Sequence, residues 1–271
     1  MKRDLPPPQS LPAFGVRTGQ VRDCLYLFDH GFIFTSAWVY TGETSRFPGV
    51  LLLTVDHQPF VLGAGDERLE TRSAAVGPQV PRSLDARDRA LVSVHVEPAH
   101  PAYAAFRAIG QGGVQPFARE VFSPLDDRLR ACHRGHLGLA EAEHLFDALL
   151  AATTPALPAA GPVADPRIVA ALASLRQRPE QSLSELAEEL KLSYDRFSHL
   201  FSEQVGLPLK SYQLWRKVKR STLLFDSGRS LTDIAHEVGF SDSAHLTRTY
   251  AHFFGIKPSY LTNSDCVQVV H

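Results

Sequence analysis

Hydrophobic and polar residues follow two different rhythms along this chain. Up to about residue 100 the apolar residues come in short runs broken by turn residues. LYLF leads to DHG, FIFTSAWVY to TGETSRFPG, and VLLLTVD to HQ, with PFVLGAG and ALVSVHVEP further on. These runs have strand length, are rich in β-branched and aromatic residues, and lie between Gly, Pro and Asp, so they predict a small antiparallel sandwich or barrel. From about Pro101 to Ala151 the spacing becomes helical, and PLDDRLRACHRGHL and AEAEHLFDALLAAT fit two amphipathic helices. AATTPALPAAGPVADP, residues 151–166, has no amphipathic period and reads as a linker. Beyond it almost every segment is helical. The pattern predicts an α+β multidomain chain: a β domain with two helices over residues 1–150, a linker over 151–166, and an all-α domain over 167–264.

Within the helical part twelve residues recur. SLSELAEELKLS begins at Ser182 and SLTDIAHEVGFS begins 48 positions later, at Ser230, with five of the twelve positions identical. The apolar residues Leu183, Leu186, Ala187 and Leu190 share one helical face, and Leu231, Ile234, Ala235 and Val238 repeat the arrangement. Ser182 with Glu185, and Ser230 with Asp233, have the spacing of a helix N-cap facing an acid in the first turn; the shorter Asp predicts the weaker box. Each short helix meets a turn, KLS or GFSD, where Gly239 suits a left-handed conformation. Each turn leads into a second helix. One carries Phe197, Leu200, Phe201 and Val205, the other Leu246, Tyr250, Phe253 and Phe254, and the stops fall at Gly206 and Gly255. These are two helix-turn-helix units. PLKSYQLWRKVKRSTLLFDSG between them predicts one connecting helix of about five turns, with Pro208 in its first turn. If the two second helices lie about 34 Å apart, they enter successive major grooves on one face of a duplex.

The stretch GRSLTDIAHEVGFSDSAHLTRTYAHFFGIKPSYL, Gly228 to Leu261, resembles the C-terminal signature of AraC/XylS-type bacterial transcription regulators. The upstream LSELAEELKLSYDRFSHLFSEQVGLPLKSY is similar to the first helix-turn-helix of the same domain, and the N-terminal half resembles the cupin-type sensor domain that often precedes it. The resemblance implies a DNA-binding regulator, more often an activator than a repressor, with RNA polymerase as a partner, a small-molecule effector and a possible homodimer. By position it places Tyr194, Asp195, Arg196, Ser198 and His199 in the first unit at base- and backbone-contacting places. Ser243, Ala244, His245, Thr247 and Arg248 take those places in the second. Arg248 suits two acceptors on guanine, or a phosphate. Two departures stand out. Asp195 puts an acid on a helix that should face DNA, and YAHFF lacks the basic residue that many relatives carry after the aromatic.

Charge adds one local signal. The net charge is −1, and from Ala164 onward 13 Lys and Arg stand against 12 Asp and Glu. RKVKR, Arg216 to Arg220, is the exception, and it makes Lys217, Lys219 and Arg220 candidates for phosphate contacts; the resemblance implies a structural role for Arg216, which matches a position where the family usually keeps Arg. Tyr212, Trp215, Leu223 and Leu224 read as core. Three well-separated cysteines, 24, 132 and 266, suit reduced thiols in a cytoplasm. MKRDLPPPQSLPAF lacks the apolar run of a signal peptide, and no segment has the length of a membrane span.

For the N-terminal half, enzyme and sensor are the competing readings. His30, His57, His95 and His100 are scattered without a His-x-His pair, and strand alternation does not bring His95, Glu97 and His100 of HVEPAH together neatly; His133 and His136 of CHRGH, at i, i+3, could hold Zn²⁺ with Cys132 and Glu143 or His144, but solvent-facing helix residues are the commoner explanation. No nucleophile elbow, P-loop or dinucleotide fingerprint occurs. We therefore expect no catalytic residues and no cofactor. A metal-dependent barrel enzyme with an appended DNA module, or a regulator whose N-terminal half only oligomerises, are the alternatives. For an effector pocket in the barrel the wall candidates are Trp38, Tyr40, Phe60 and Arg82. VGPQVPRSLDA resembles a stretch that often reads PxxPH in similar sensor domains; Arg82 replaces that His and, facing a pocket, would favour an anion.

Overall fold

A computed structural model describes residues 22–109, 113–159, 165–178, 181–225, 227–254, 256–262 and 266–271. The N-terminal segment MKRDLPPPQSLPAF, residues 160–164 of the expected linker, and Gly255 lie outside them.

The first half is built from β1 (Asp23–Phe28), β2 (Gly31–Thr44), β3 (Gly49–Thr54), β4 (Phe60–Ala64), β5 (Glu67–Thr71), β6 (Ser73–Val76) and β7 (Arg82–Val96). A short helix α1 (Tyr103–Arg107), the strand β8 (Val114–Pro116), a 3-10 turn over Arg119–Leu125, and the helices α2 (Asp126–His133) and α3 (Leu139–Thr153) follow. The strands join in one sheet in the order β8-β6-β3-β7-β2-β1, with the β4–β5 hairpin attached to β7.

β7 is the spine of this sheet. Its residues 91–96 lie between β2 and β3, and its first residues lie between β2 and β4. Between these halves the register with β2 jumps from Ser36↔Leu91 to Trp38↔Arg87, and Asp88 turns to φ 56°. Such a bulge bends a sheet and lets its two halves curl around a common interior. Strand alternation then sorts the side chains. Val50, Leu52, Leu62, Leu84 and Leu91 fill the interior, while Tyr26, Leu51, Leu53, Val92 and Val94 pack outward against Phe146 and Leu149 of α3 and Leu129 of α2.

The second half contains α4 (Pro166–Gln177), α5 (Leu183–Glu189), α6 (Tyr194–Val205), α7 (Leu209–Thr222), α8 (Leu231–Glu237), α9 (Ser243–Phe254) and α10 (Pro258–Leu261). Both copies of the repeat begin a helix at the expected serine. Ser182 Oγ accepts from the Glu185 N–H at 3.1 Å, and Glu185 accepts in return from the Ser182 N–H at 3.1 Å. Ser230 Oγ accepts from the Asp233 N–H at 3.1 Å, but the Asp233 carboxylate meets the Ser230 hydroxyl at 2.6 Å instead of the backbone, so this box is half made. Gly239 takes φ 81°, and Lys191, 48 positions earlier, takes the same left-handed turn at φ 55° without being glycine. Gly206 ends α6 at φ 78°.

Four expectations need correction. α7 has 14 residues, nearer four turns than five, and Pro208 caps it from outside. Leu223 is 40% exposed and not core. α3 continues to Thr153, so residues 151–153 are helical. The chain also does not end with the helical domain. Residues Val267–Val270 form β9, which returns to the barrel and pairs in parallel with β1. One apolar core accordingly spans both halves: Leu25, Leu27 and Phe32 of the sheet share it with Phe201, Trp215 and Tyr250 of the helices.

Candidate nucleic-acid interface and effector cavity

α6 and α9 are the second helices of the two units, and each is fixed by its first turn. Ser193 caps α6 by accepting from the Arg196 N–H at 3.3 Å. Asp242 caps α9 by accepting from the His245 N–H at 2.7 Å, and that bond holds its carboxyl below the usual range. Phe197 and Phe201 of α6, and Leu246 and Tyr250 of α9, turn inward and are buried. The opposite faces carry the expected readers. Asp195, Arg196, His199, Ala244 and Arg248 are exposed, and Tyr194, Ser198, Ser243, His245 and Thr247 are half-buried. His245 sits edge-on to Phe240, ring centroids 5.0 Å apart, with Ser241 Oγ 3.3 Å from Nδ1. Thr247 spends its hydroxyl on the Ser243 carbonyl at 2.8 Å. Arg196 and Arg248 make no ion pair among the described residues, so both guanidiniums stand open to solvent.

The RKVKR cluster is placed differently. Arg216 donates to the Leu175 carbonyl. Lys217 Nζ donates to the Gly239 carbonyl at 2.8 Å, and Arg220 approaches Glu237 at 3.9 Å. Lys219 Nζ points into the barrel domain, 2.8 Å from Glu97 and 3.0 Å from the Asp29 carbonyl. In this arrangement Lys219 is an interdomain ion pair and is turned away from any phosphate. Lys217 and Arg220 are half-buried and already engaged.

α6 is docked onto the barrel through its C-terminus. The Arg107 guanidinium donates to the Gln204 carbonyl and, at 3.1 Å, to that of Glu203. Tyr103 Oη donates to the Val205 carbonyl at 3.3 Å, and the Gln79 amide to that of Gly206. The last carbonyls of a helix lack intrahelical donors and favour a cation. Here the barrel domain supplies both.

Within the barrel, the expected effector wall divides. Trp38 and Tyr40 alternate with the inward Val39 and Thr41 and so lie on the outer face; Tyr40 is 41% exposed under the Arg87 guanidinium. Phe60 is buried in the barrel core. Arg82 lines a cavity, together with Arg46, His95, Thr41, Ser93 and Leu84. Arg46 and His95 were not expected there. The alternation in ALVSVHVEP would have placed His95 on the face of Leu91 and Ser93; nothing in the sequence marks Arg46. Burial, reinforced by Arg46 beside it, lowers the Arg82 guanidinium to about 9. Burial lowers Arg46 to about 10 and, with both arginines adding to the effect, holds His95 well below the usual imidazole range.

These charges also weigh against the metal readings. A cation beside His95 would meet Arg46 and Arg82. His133 is buried on α2 and His136 lies past its end; the Cys132 thiol is pushed up to about 12, chiefly by burial. His30, His100 and Asp147 do bring their ligand atoms within 4.8 Å of one another. However, His100 Nδ1 accepts from the Ala102 N–H at 3.1 Å, which leaves the proton on Nε2, the atom 4.0 Å from Asp147. Coordination through Nε2 would force a second proton against that N–H.

A helix-turn-helix domain family model matches residues 186–264, the segment that carries both second helices. The C-terminal domain is of the AraC/XylS type. Its relatives include the Msm operon regulatory protein of Streptococcus mutans, 32% identical over 78 residues, which are 28% of each chain. Another is the arabinose operon regulatory protein of Escherichia coli, 28% identical over 78 residues, 28% of this chain and 27% of that one. The matches thus span less than a third of these relatives' length. ToxT from Vibrio cholerae shares the fold of the whole molecule: TM-score 0.55 at 10% identity, over 86% of this chain and 97% of that one. The fold of a β-rich domain followed by helix-turn-helix units is therefore shared with ToxT over most of this chain. Among the described residues no helix is long and apolar enough to cross a membrane.

Proposed function

We propose that this protein is a sequence-specific DNA-binding transcription regulator in which α6 and α9 enter successive major grooves. The supporting observation is the pairing of two capped helix-turn-helix units on one connector, each with its polar outer face uncovered and one exposed arginine on it. Arg248 and Arg196 are the leading base or phosphate contacts, with His199 and His245 as further donors. Asp195 forms no ion pair with Arg196 among the described residues, which leaves its carboxylate available to a cytosine amino group. The engaged state of RKVKR and the lack of Lys or Arg in the largely aromatic YAHFF segment leave few cations for phosphates, so affinity should depend only shallowly on salt.

The barrel half is the sensing half in this reading, and its signal acts by favouring one arrangement of the two domains over another. ToxT has been solved with an unsaturated fatty acid bound, and with a naphthalenyl-butenoic acid bound, which supports a small-molecule role for the shared fold. Activation through RNA polymerase, a homodimer and cytoplasmic location are further parts of the proposal. Hydroxyl-radical footprinting on a bound promoter fragment tests the two-groove geometry. The expected result is two protected patches on one face of the duplex, about one helical turn apart. A single patch, or protection around the whole circumference, would contradict it.

A further inference from the structure

β5 is an edge strand with one side unpaired. It pairs with β4 alone, in the register Gly63↔Arg68, Leu62↔Leu69 and Val61↔Glu70. Gly65, at φ 59°, and Asp66 form the turn of this hairpin, so Ala64 and Glu67 close it as a hydrogen-bonded pair. Hydrogen-bonded and non-hydrogen-bonded pairs then alternate, and Leu69 directs its N–H and C=O at β4. Arg68 and Glu70 direct theirs outward along the free edge, where no other backbone group among the described residues meets them. The side chains alternate too. Leu69 packs onto the barrel interior, while Arg68 and Glu70 stand on the outer face and are exposed. Neither has an ion pair among the described residues. Arg68 helps to lower the Asp85 carboxyl, but that carboxylate is already held by Arg87 through hydrogen bonds of 2.8 and 2.6 Å.

An open edge is a template for another strand, and charges on it ordinarily keep copies apart. On β5 the order of the charges reverses this in one register. Antiparallel pairing of two β5 strands about Leu69 sets Arg68 opposite Glu70 on both sides of the axis. Each such pair exchanges both N–H···O bonds through the outward backbone groups, and opposite charges facing across strands attract. Centring the pairing on Arg68 instead sets arginine against arginine, and centring it on Glu70 sets glutamate against glutamate, which is destabilising. The β8 edge offers no such template, being three residues long and ending in Pro116. Because β4 occupies the other side of β5, the contact uses the same patch on both copies and closes at a dimer.

We propose that two copies of this chain associate edge to edge through β5, antiparallel about Leu69, with Arg68 of each copy against Glu70 of the other. The inference deepens the homodimer of the proposed function and rests on it.

Sedimentation equilibrium of the full chain, without DNA, tests this over concentrations from micromolar to several hundred micromolar. The expected result is a reversible monomer–dimer equilibrium. Arg68→Glu and Glu70→Arg should each weaken the dimer at least tenfold, because each sets like charges opposite on both sides of the axis. Both side chains are exposed and unpaired, so these variants fold as the parent does. Two combinations should recover the parent's affinity. One is the chain that carries both substitutions. The other is a mixture of the two single variants, which are complementary to each other in the same register. A parent that stays monomeric throughout overturns the pairing and the homodimer reading with it. A dimer that the single variants leave intact, or that the double variant and the mixture do not recover, overturns pairing through β5 and leaves the homodimer reading standing. None of these outcomes involves DNA, so none would touch the DNA-binding reading.

Discussion

Asp23 ionises at a cost in this structure. Burial raises its carboxyl to about 6, although Tyr260, Ser36 and the Ala37 backbone all donate to it. The unfolded chain loses this proton near 3.8, so the penalty is absent below that pH. It grows between about 4 and 6, and is fully present above about 6. Asp23→Asn should thus raise stability at pH 8 by about 2 kcal/mol and leave it unchanged at pH 3.5, a difference that thermal melts at the two pH values would measure. Equal effects at both would contradict the burial argument. Arg248 is the opposite case, an exposed cation that makes no ion pair among the described residues and acts within the protein only through the field that helps to lower the exposed Asp242 carboxyl. Arg248→Ala should leave the melting temperature unchanged and weaken specific DNA binding by about 1–3 kcal/mol while relaxing preference at one base; titration of labelled duplexes checks both. The exposure of Arg248 was legible in the sequence because helical periodicity decides which face is free. Lys219 was not, because its role depends on Glu97, a partner distant in the chain.

Among elements, the two copies of the repeat offer an internal control. The same turn is made by Gly239 at φ 81° and by Lys191 at φ 55°. A side chain in that conformation costs roughly 1 kcal/mol, so Lys191→Gly should stabilise the protein by about that amount, read as a rise in denaturation midpoint. Gly239→Ala should destabilise it, since a Cβ there would also lie 3.0 Å from Lys217 Nζ. The α5 and α8 starts could be read from Ser182 and Ser230, because a cap is local chemistry. The strands β5, β6 and β8 escaped. SAAV is small and ERLET polar, and neither shows an alternating apolar face; only pairing with β3, β4 and β8 makes them strands. β9 escaped for the same reason in stronger form, since its partner β1 lies at the far end of the chain.

The whole molecule is less divided than its texture suggests. The barrel caps the end of α6 through Arg107, pairs with α7 through Glu97 and Lys219, and holds the C-terminal strand. The orientation of α6 and α7 thus depends on contacts with the barrel, and under the proposed function a signal received by the barrel has mechanical contact with the helix-turn-helix units. Lys219→Met should lower stability by about 3 kcal/mol, because it strands Glu97 in a buried place. It should not change the salt slope of DNA binding, whereas loss of a phosphate contact would reduce that slope by about one unit. The most direct measurement is selection of genomic DNA fragments by the purified full chain, with Arg248→Ala carried beside it. The expected result is an enriched motif of two blocks about one helical turn apart, with one block lost in the variant. Fragments recovered without any common motif, or a motif that survives Arg248→Ala unchanged, would contradict DNA reading by these two helices.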